Sequence, residues 1–220
     1  MIEPSYVRAT RAGYDAVAAD YAEWVSDDLA AKPLDRALLG AFAELVRADG
    51  AGPVGDFGCG PGRVTAYLHC LGLNAFGVDL SPAMVAVARR AYPDLRFDES
   101  SITAVDAADG ALGGIVAWYS IIHTPPEELP VVFAEFHRVL APGGHLLLAF
   151  QVGDEPRHLA EAFGHVVSLD FYRFQPDRVA QLLHEAGIAV FARLLREPDE
   201  TERVQQAYLL ARKPAVTPVR

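Results

Sequence analysis

Residues Val54 to Arg63 read VGDFGCGPGR, an apolar run followed at once by three glycines at alternate positions. Glycine permits tight turns with positive φ and lets the backbone approach a ligand closely. A helix is predicted to start at Arg63, and its free N–H groups would add a partial positive charge beside the loop. Such a strand, loop and helix are typical of a site for a nucleoside-bearing cofactor at the carboxyl edge of a sheet.

A second strand, residues 74–79, strengthens this interpretation because it ends in a carboxylate, Asp79. A carboxylate at that place can accept hydrogen bonds from both ribose hydroxyls of a nucleoside. The alternative is that Asp79 only caps the next helix. Ser81, followed by Pro82, already supplies an N-cap and a first helical residue, so the ribose role is favoured.

The glycine spacing also bears on which cofactor binds. A dinucleotide fingerprint, Gly-x-Gly-x-x-Gly, that begins at Gly58 would require glycine where this chain has Arg63. This difference disfavours a bound pyrophosphate and therefore a nicotinamide-dependent oxidoreductase.

Short apolar runs alternate with helical segments along the rest of the chain, which predicts an α/β fold with helices covering a sheet. Strands are expected at residues 53–57, 74–79, 95–97, 114–119 and 145–150, with a final antiparallel pair at 188–195 and 206–211. Helices are expected at residues 14–25, 33–48, 63–71, 82–91, 124–140 and 176–186.

We expect one domain over residues 1–213 and a disordered tail over 214–220. Within the domain, residues 1–50 would form a helical lid and residues 53–150 the cofactor-binding core. Residues 151–175 would form an insertion on the acceptor side, and the part from 153 to 169 is expected to be less regular than the core.

Composition narrows the class of protein. The formal net charge is −10, from 29 acidic and 19 basic residues, which argues against a nucleic acid partner. No apolar run approaches the roughly 18 residues that cross a bilayer, and Met1 to Pro4 do not begin a secretory signal. Two cysteines, Cys59 and Cys70, predict neither a disulfide framework nor a metal site, and they favour the reducing cytoplasm.

Three motifs in order resemble those of the class I S-adenosylmethionine-dependent methyltransferases. Asp56, Gly58, Gly60 and Gly62 are similar to motif I, Asp/Glu-x-Gly-x-Gly-x-Gly; residues 79–84 resemble the segment that follows it; and residues 140–144 resemble the turn before the fifth strand. The resemblance covers residues 10–213. It implies a Rossmann-like, seven-stranded, mostly parallel sheet in the order 3-2-1-4-5-7-6, with the last strand antiparallel and helices on both faces.

The same resemblance implies S-adenosylmethionine as cofactor and S-adenosylhomocysteine as product. Gly58 and Gly60 would lie against the methionine part, Asp79 would hold the ribose, and Leu80 and Met84 would flank the adenine. The full set expected around the cofactor is Tyr14, Tyr21, Asp56, Gly58, Cys59, Gly60, Gly62, Arg63, Asp79, Leu80, Ser81, Met84, Ser101, Ile102, Trp118, Tyr119 and Ser120. Many relatives carry an acidic residue at the adenine edge where this chain has Ser101, and Asp98 is an alternative partner there.

Methyl transfer requires alignment of the acceptor and, for some acceptors, removal of a proton. His123 follows the fourth strand and is the candidate general base. The alternative is that it only orients the loop or touches the cofactor. Tyr14 and Tyr21 would cover the sulfonium or line the acceptor pocket, or simply pack an amphipathic helix. Tyr14 is also a catalytic candidate.

The acceptor is expected to be a small molecule. Its pocket would draw on residues of the variable region: Phe150, Gln151, His158, Tyr172, Arg173 and Phe174. Arg173 would either pair with an acceptor carboxylate or phosphate or remain an ordinary surface arginine. A non-catalytic S-adenosylmethionine-binding regulator is the alternative function.

Overall fold

A computed structural model describes residues 3–50 and 52–215 of the chain. Its helices are α1 Ser5–Trp24, α2 Asp28–Ala31, α3 Pro33–Ala48, α4 Arg63–Cys70, α5 Pro82–Ala91, α6 Leu129–Val139 and α7 Pro176–Glu185. Its strands are β1 Val54–Phe57, β2 Ala75–Asp79, β3 Phe97–Glu99, β4 Leu112–Trp118, β5 Leu140–Gln151, β6 Arg157–Ala162, β7 His165–Phe171, β8 Ala189–Arg196 and β9 Gln206–Arg212.

The described residues form one seven-stranded sheet in the order β3-β2-β1-β4-β5-β9-β8. Strands β1 to β5 pair in parallel, whereas β9 runs antiparallel to both β5 and β8. Because β6 and β7 lie outside this sheet, β8 and β9 are its sixth and seventh strands. The predicted order, with an antiparallel last strand, is therefore confirmed.

Both faces of the sheet are covered by helices, as predicted. Successive residues of β4 point to opposite faces, so Ile115 packs with Phe133 and Phe136 of α6, while Val116 packs with Phe42 of α3. These central strands are buried on both sides, which explains their nearly continuous apolar sequence.

The insertion is more regular than the sequence suggested. Residues 153–169 were expected to be less regular than the core, but β6 and β7 form an antiparallel hairpin that extends to Phe171. Its two-residue loop, Phe163 and Gly164, has φ of 52° and 78°, as a type I′ turn requires. Alternation along β7 buries Val167 and Leu169 and exposes the residues between them, so mixed polarity here marks a strand with one buried face.

Several other predicted boundaries were wrong, including that of the fifth strand, which was expected at residues 145–150 but spans Leu140–Gln151. The first helix was expected at residues 14–25 but begins at Ser5, and Gly13 inside it leaves room for the side chain of Leu169. The third strand was expected at residues 95–97 but spans Phe97–Glu99, because a polar sequence is acceptable at a sheet edge. The helix expected from residue 124 begins instead at Leu129, after a short 3₁₀ turn at Pro126–Glu128.

Residues 216–220 of the predicted tail lie outside the described residues. Within residues 3–50 and 52–215, no helix has both the length and the apolar character needed to span a bilayer.

Gly62 allows the end of the glycine loop to pack closely against the Phe97 ring. It is the N-cap of α4 with φ of 85°, and a Cβ there would lie 2.7 Å from the Phe97 ring and 3.1 Å from Cβ of Ala88. Gly40, by contrast, lies inside α3, and a Cβ there would meet nothing within 4 Å.

We therefore expect Gly62→Ala to lower the free energy of unfolding by about 2–4 kcal/mol, from left-handed strain and overpacking together. Gly40→Ala, the matched control, should raise the free energy of unfolding by about 0.5–1 kcal/mol because alanine favours the helix. Urea denaturation followed by circular dichroism measures both. Equal stabilities for the two variants would show that Gly62 does not limit the packing.

Candidate functional site

The glycine-rich loop leaves an open space at the carboxyl end of β1. Gly60 has φ of 53°, and a Cβ there would project toward the cleft, with only the Tyr21 ring, at 4.0 Å, within contact range. Gly58 has φ of 76°, and a Cβ there would overlap Ser120, which follows β4. The loop is therefore bare on the side that faces the cleft and tightly packed on the side that faces β4.

Asp79, at the end of β2, holds this loop in place. Its two carboxylate oxygens accept hydrogen bonds from the backbone N–H of Gly60, at 2.8 Å, and of Ser81, also at 2.8 Å. Burial raises the pKa of Asp79, and the two backbone N–H groups oppose that shift. Ser81 Oγ accepts from the Met84 N–H at 3.1 Å, so Ser81 caps α5 as predicted and Asp79 is left to face the cleft.

The cleft above the loop has a volume of about 590 Å³, within the range of small-molecule sites. Most of the residues predicted to bind the cofactor line it, together with the candidate base. They are Tyr14, Tyr21, Gly58, Gly60, Arg63, Asp79, Leu80, Ser81, Met84, Ser101, Ile102, Trp118, Tyr119, Ser120 and His123.

Four residues that the sequence analysis considered for the cofactor do not line this cleft. The Cys59 side chain packs against Val85 and Phe97, and Gly62 adjoins the same Phe97 ring. Asp98, the alternative adenine partner, forms an ion pair with Arg96 at 2.6 Å.

Asp56, the fourth, borders a cavity of about 40 Å³ behind the loop. One carboxylate oxygen of Asp56 accepts a hydrogen bond from Thr65 Oγ1 at 2.7 Å, whereas Oδ1 is buried without a partner among the described residues. Burial raises the pKa of Asp56 to about 7.

His123 and Tyr14 meet at the opposite wall of the cleft. The Tyr14 hydroxyl lies 2.7 Å from His123 Nε2, and His123 Nδ1 lies 3.0 Å from the backbone oxygen of Asp170. A carbonyl oxygen can only accept, so Nδ1 carries the proton and Nε2 accepts from the tyrosine hydroxyl. Burial lowers the pKa of His123 to about 4 and raises that of Tyr14 well above its ordinary value, so both groups are neutral at pH 7.

Aromatic rings surround this pair. The Tyr14 ring contacts Tyr21 edge-on, with centroids 5.7 Å apart, and the His123 ring contacts Phe171 of β7 at 4.8 Å. Such rings exclude water and present π-faces that suit a cation.

Two acidic residues that the sequence analysis did not single out fix the N-terminal helices over the cleft. Asp15 accepts hydrogen bonds from Ser81 Oγ at 2.5 Å and from the Ala83 N–H at 3.1 Å. Asp28 forms an ion pair with Arg63 at 3.1 Å. The only sequence signal for Asp15 is its place beside Tyr14, whereas nothing in the sequence distinguishes Asp28 from other surface acids.

The predicted acceptor residues divide into two groups. Gln151 and Arg173 line the cleft. Phe150 and Phe174 are buried in the core, His158 forms an exposed pair with Asp170 at 2.7 Å, and the Tyr172 N–H donates to the Ile122 carbonyl at 2.7 Å. In the described part of the chain, no cluster of three His, Cys, Asp or Glu side chains is suited to a metal ion.

Comparison with known proteins agrees with this geometry. A family model described as "Methyltransferase domain" matches residues 54–144. A trans-aconitate 2-methyltransferase of Escherichia coli O157:H7 is 34% identical over 149 residues, which are 66% of this chain and 54% of that protein. A demethylmenaquinone methyltransferase of Chlorobaculum parvum is 36% identical over 90 residues, 40% of this chain and 36% of that protein.

This chain therefore spans between about a third and a half of the length of these two curated relatives. Among solved structures, the 1,6-didemethyltoxoflavin-N1-methyltransferase of Burkholderia thailandensis superposes with a TM-score of 0.72 at 24% identity. The match covers 97% of this chain and 92% of that one, and it shows that the two share a fold.

We expect the His123 ring to remain in its neutral Nδ1–H form from pH 7 down to about pH 4, because burial disfavours the charged ring. Long-range ¹H–¹⁵N NMR correlations of the histidine side chains report the tautomer and the titration. Tyr14→Phe should shift the Nε2 resonance by removing its donor, whereas Tyr92→Phe, outside the cleft, should not. Titration of His123 near pH 6.5 would mean that the ring is solvated rather than enclosed.

Proposed function

We propose that this chain, which belongs to the class I S-adenosylmethionine-dependent methyltransferases, transfers a methyl group from S-adenosylmethionine to a small-molecule acceptor. The observation that carries the proposal is the juxtaposition of Gly60 and Asp79: a residue without a side chain faces the cleft, and a carboxylate at the end of the next strand faces the same space. A sulfonium nucleoside needs both features, room at the loop and an acceptor for its ribose hydroxyls.

Buried polar atoms beside the loop support the fit of this cofactor. Ser120 Oγ, Trp118 Nε1 and Asp56 Oδ1 are buried and have no hydrogen-bond partner among the described residues. Unpartnered polar groups in the interior are costly, and ligand groups commonly satisfy them. All three belong to residues that border the main cleft or the small cavity behind the loop.

The lining residues suggest how the cofactor is held. Gly58 and Gly60 would support the methionine part, and Asp79 would accept hydrogen bonds from the ribose. Leu80 and Met84 offer apolar surfaces for the adenine ring, and Ser101 offers a hydroxyl at its edge. The Ser101 hydroxyl lies 2.8 Å from that of Thr103, which would orient it.

When bound, S-adenosylmethionine supplies an electrophilic methyl group on a positively charged sulfur. The chain itself must align the acceptor, exclude water and receive a proton. We propose that the Tyr14 hydroxyl oxygen accepts the proton of the acceptor while the Tyr14 hydroxyl proton passes to His123 Nε2. The hydrogen bond from Nδ1–H to the Asp170 carbonyl would then stabilise the imidazolium that forms.

Several features favour a small acceptor in this proposal. The helix α1 and the β6–β7 hairpin together wall the cleft, so a folded macromolecule would not reach His123. The net charge of −10 disfavours nucleic acid. The names of the relatives refer to small molecules, trans-aconitate and demethylmenaquinone. Free Cys59 and Cys70 fit the cytoplasm as the proposed compartment.

Binding of the cofactor tests the first half of the proposal. We expect S-adenosylhomocysteine to bind in isothermal titration calorimetry, and Asp79→Asn to weaken its affinity by about 10- to 100-fold, because ribose hydroxyls lose an ionised acceptor. Asp98→Asn, outside the cleft, is the matched control and should bind normally. No heat of binding by the unaltered protein at millimolar ligand would refute the proposal.

Steady-state kinetics with an identified acceptor test the second half of the proposal, the proton transfer to Tyr14 and His123. Tyr14→Phe and His123→Gln should each lower kcat by about 100-fold or more while the affinity for S-adenosylhomocysteine changes little. In the unaltered protein, kcat should fall on the acidic side near pH 4 rather than near pH 6.5, because the base must be neutral. Full activity of His123→Gln would mean that alignment alone suffices and that no base is used.

A further inference from the structure

Three arginines face the cleft without a carboxylate partner. Arg157, Arg173 and Arg203 all line it, and none forms an ion pair among the described residues. The other cationic side chains of the cleft are all paired: Arg11 with Glu3, Lys32 with Asp28, and Arg63 with Asp28. In a chain with ten more acidic than basic residues, three unpaired guanidinium groups at one cleft call for an explanation.

Arg173 has the best-defined position of the three arginines. Gly153 has no side chain to obstruct it, and a Cβ there would lie 2.9 Å from Cδ of Arg173. The next residue, Phe174, is buried and donates its N–H to the Gln151 carbonyl at 3.0 Å. Arg173 Nε is itself buried without a hydrogen-bond partner among the described residues. The stem of Arg173 is therefore fixed, while its charged end lacks a counter-ion.

The other two arginines approach from different elements. Arg157 pairs with Phe171 across the β6–β7 hairpin, so the two share a face, and Phe171 precedes Arg173 by two residues. Arg203 belongs to the segment between β8 and β9. The adjacent carboxylate, Glu202, is already engaged by Arg196 through bonds of 2.6 and 2.8 Å.

A guanidinium presents a planar fork of N–H donors that matches a carboxylate or phosphate in two parallel hydrogen bonds. We propose that the acceptor is an organic anion whose carboxylate or phosphate group is bound by Arg173, with Arg157 and Arg203 as further unpaired cations of the same cleft. This inference rests on the proposed function, since it assigns the acceptor of that same site.

The position of Arg173 indicates how such an anion would be oriented in the cleft. Leu169, Phe171 and Arg173 are spaced two residues apart and all line the cleft. Phe171 packs on the His123 ring, and the Tyr172 N–H donates to the Ile122 carbonyl, next to His123. The anionic end would therefore be held beyond Phe171, and the rest of the molecule would extend along this wall toward the Tyr14 hydroxyl and His123.

The test uses the full protein saturated with S-adenosylhomocysteine and a panel of aliphatic and aromatic carboxylates and phosphate monoesters. Each carboxylate is matched with its neutral amide and each phosphate with its parent alcohol. We expect at least one anion to raise the melting temperature in the presence of S-adenosylhomocysteine, whereas its neutral counterpart does not. A rise in melting temperature with the carboxylates or with the phosphate monoesters identifies which of the two groups is bound. If no anion raises the melting temperature, or if the neutral compounds raise it equally, the proposal is overturned.

Arg173→Met retains the length of the stem and removes the charge. For an anion identified in this way, the variant should raise the Kd, or the KM if methyl transfer is observed, by about 10- to 100-fold. Arg193→Met is the matched control, because Arg193 is exposed and pairs with Asp177 outside the cleft. Arg173→Lys should restore only part of the affinity, since lysine cannot form the two-bond fork.

Two experimental outcomes distinguish a failure of this inference from a failure of the proposed function on which it rests. If the unaltered protein does not bind S-adenosylhomocysteine at all, the proposed function fails. If the unaltered protein and Arg193→Met bind S-adenosylhomocysteine but Arg173→Met does not, Arg173 holds the carboxylate of the cofactor. The assignment of Arg173 to the acceptor is then wrong.

Discussion

The hydrogen bond from the Gly60 N–H to the Asp79 carboxylate is the interaction on which the site depends. It joins the glycine-rich loop after β1 to the end of β2, and Asp79 is joined in the same way to Ser81 at the start of α5. Two parallel strands and two helix starts are thereby held around one carboxylate. Because the carboxylate is buried, its hydrogen bonds to the two backbone N–H groups hold the glycine-rich loop and the start of α5 rigidly in place. These two segments form the floor of the cleft.

A second layer of structure turns this floor into an enclosed cleft. Asp15 fastens α1 to the start of α5, and the β6–β7 hairpin packs on α1 through Val17 and Leu169. The same hairpin delivers the Asp170 carbonyl that fixes the tautomer of His123. Helix α1, the hairpin and the proposed base are therefore parts of one assembly, since the elements that wall the cleft also orient the imidazole.

The distribution of charge separates the two proposed ends of the cleft. At the loop, backbone N–H groups and Asp79 suit a nucleoside, and the cationic Arg63 is neutralised by Asp28. Along the wall that Leu169 and Phe171 line, Arg173 has no ion-pair partner among the described residues, and its Nε is buried without a hydrogen-bond partner there. An acceptor with an apolar body and an anionic end would match that wall, whereas the floor would bind the same cofactor for any acceptor.

The sequence alone determined the glycine loop, the carboxylate of Asp79 at the end of a strand and the Ser81 cap, because each depends on a local pattern: glycine where φ is positive, a carboxylate after an apolar run, and serine before proline. The order of the strands followed instead from the resemblance to the class I methyltransferases, since strands far apart in sequence become neighbours only in the folded sheet. The place of His123 after the fourth strand also predicted that it lies at the cleft, where the structure has it, whereas its role as a base stays a prediction.

Only the tertiary structure decided which groups meet across long separations in sequence. Tyr14 reaches His123 over 109 residues, and Asp170 supplies a backbone atom, which no residue pattern can reveal. The hairpin escaped prediction because its single buried face depends on α1 lying opposite, and Cys59 and Gly62 proved to face the core because the loop turns between them. Local propensities are encoded residue by residue, whereas the partner of a side chain exists only once the chain has folded.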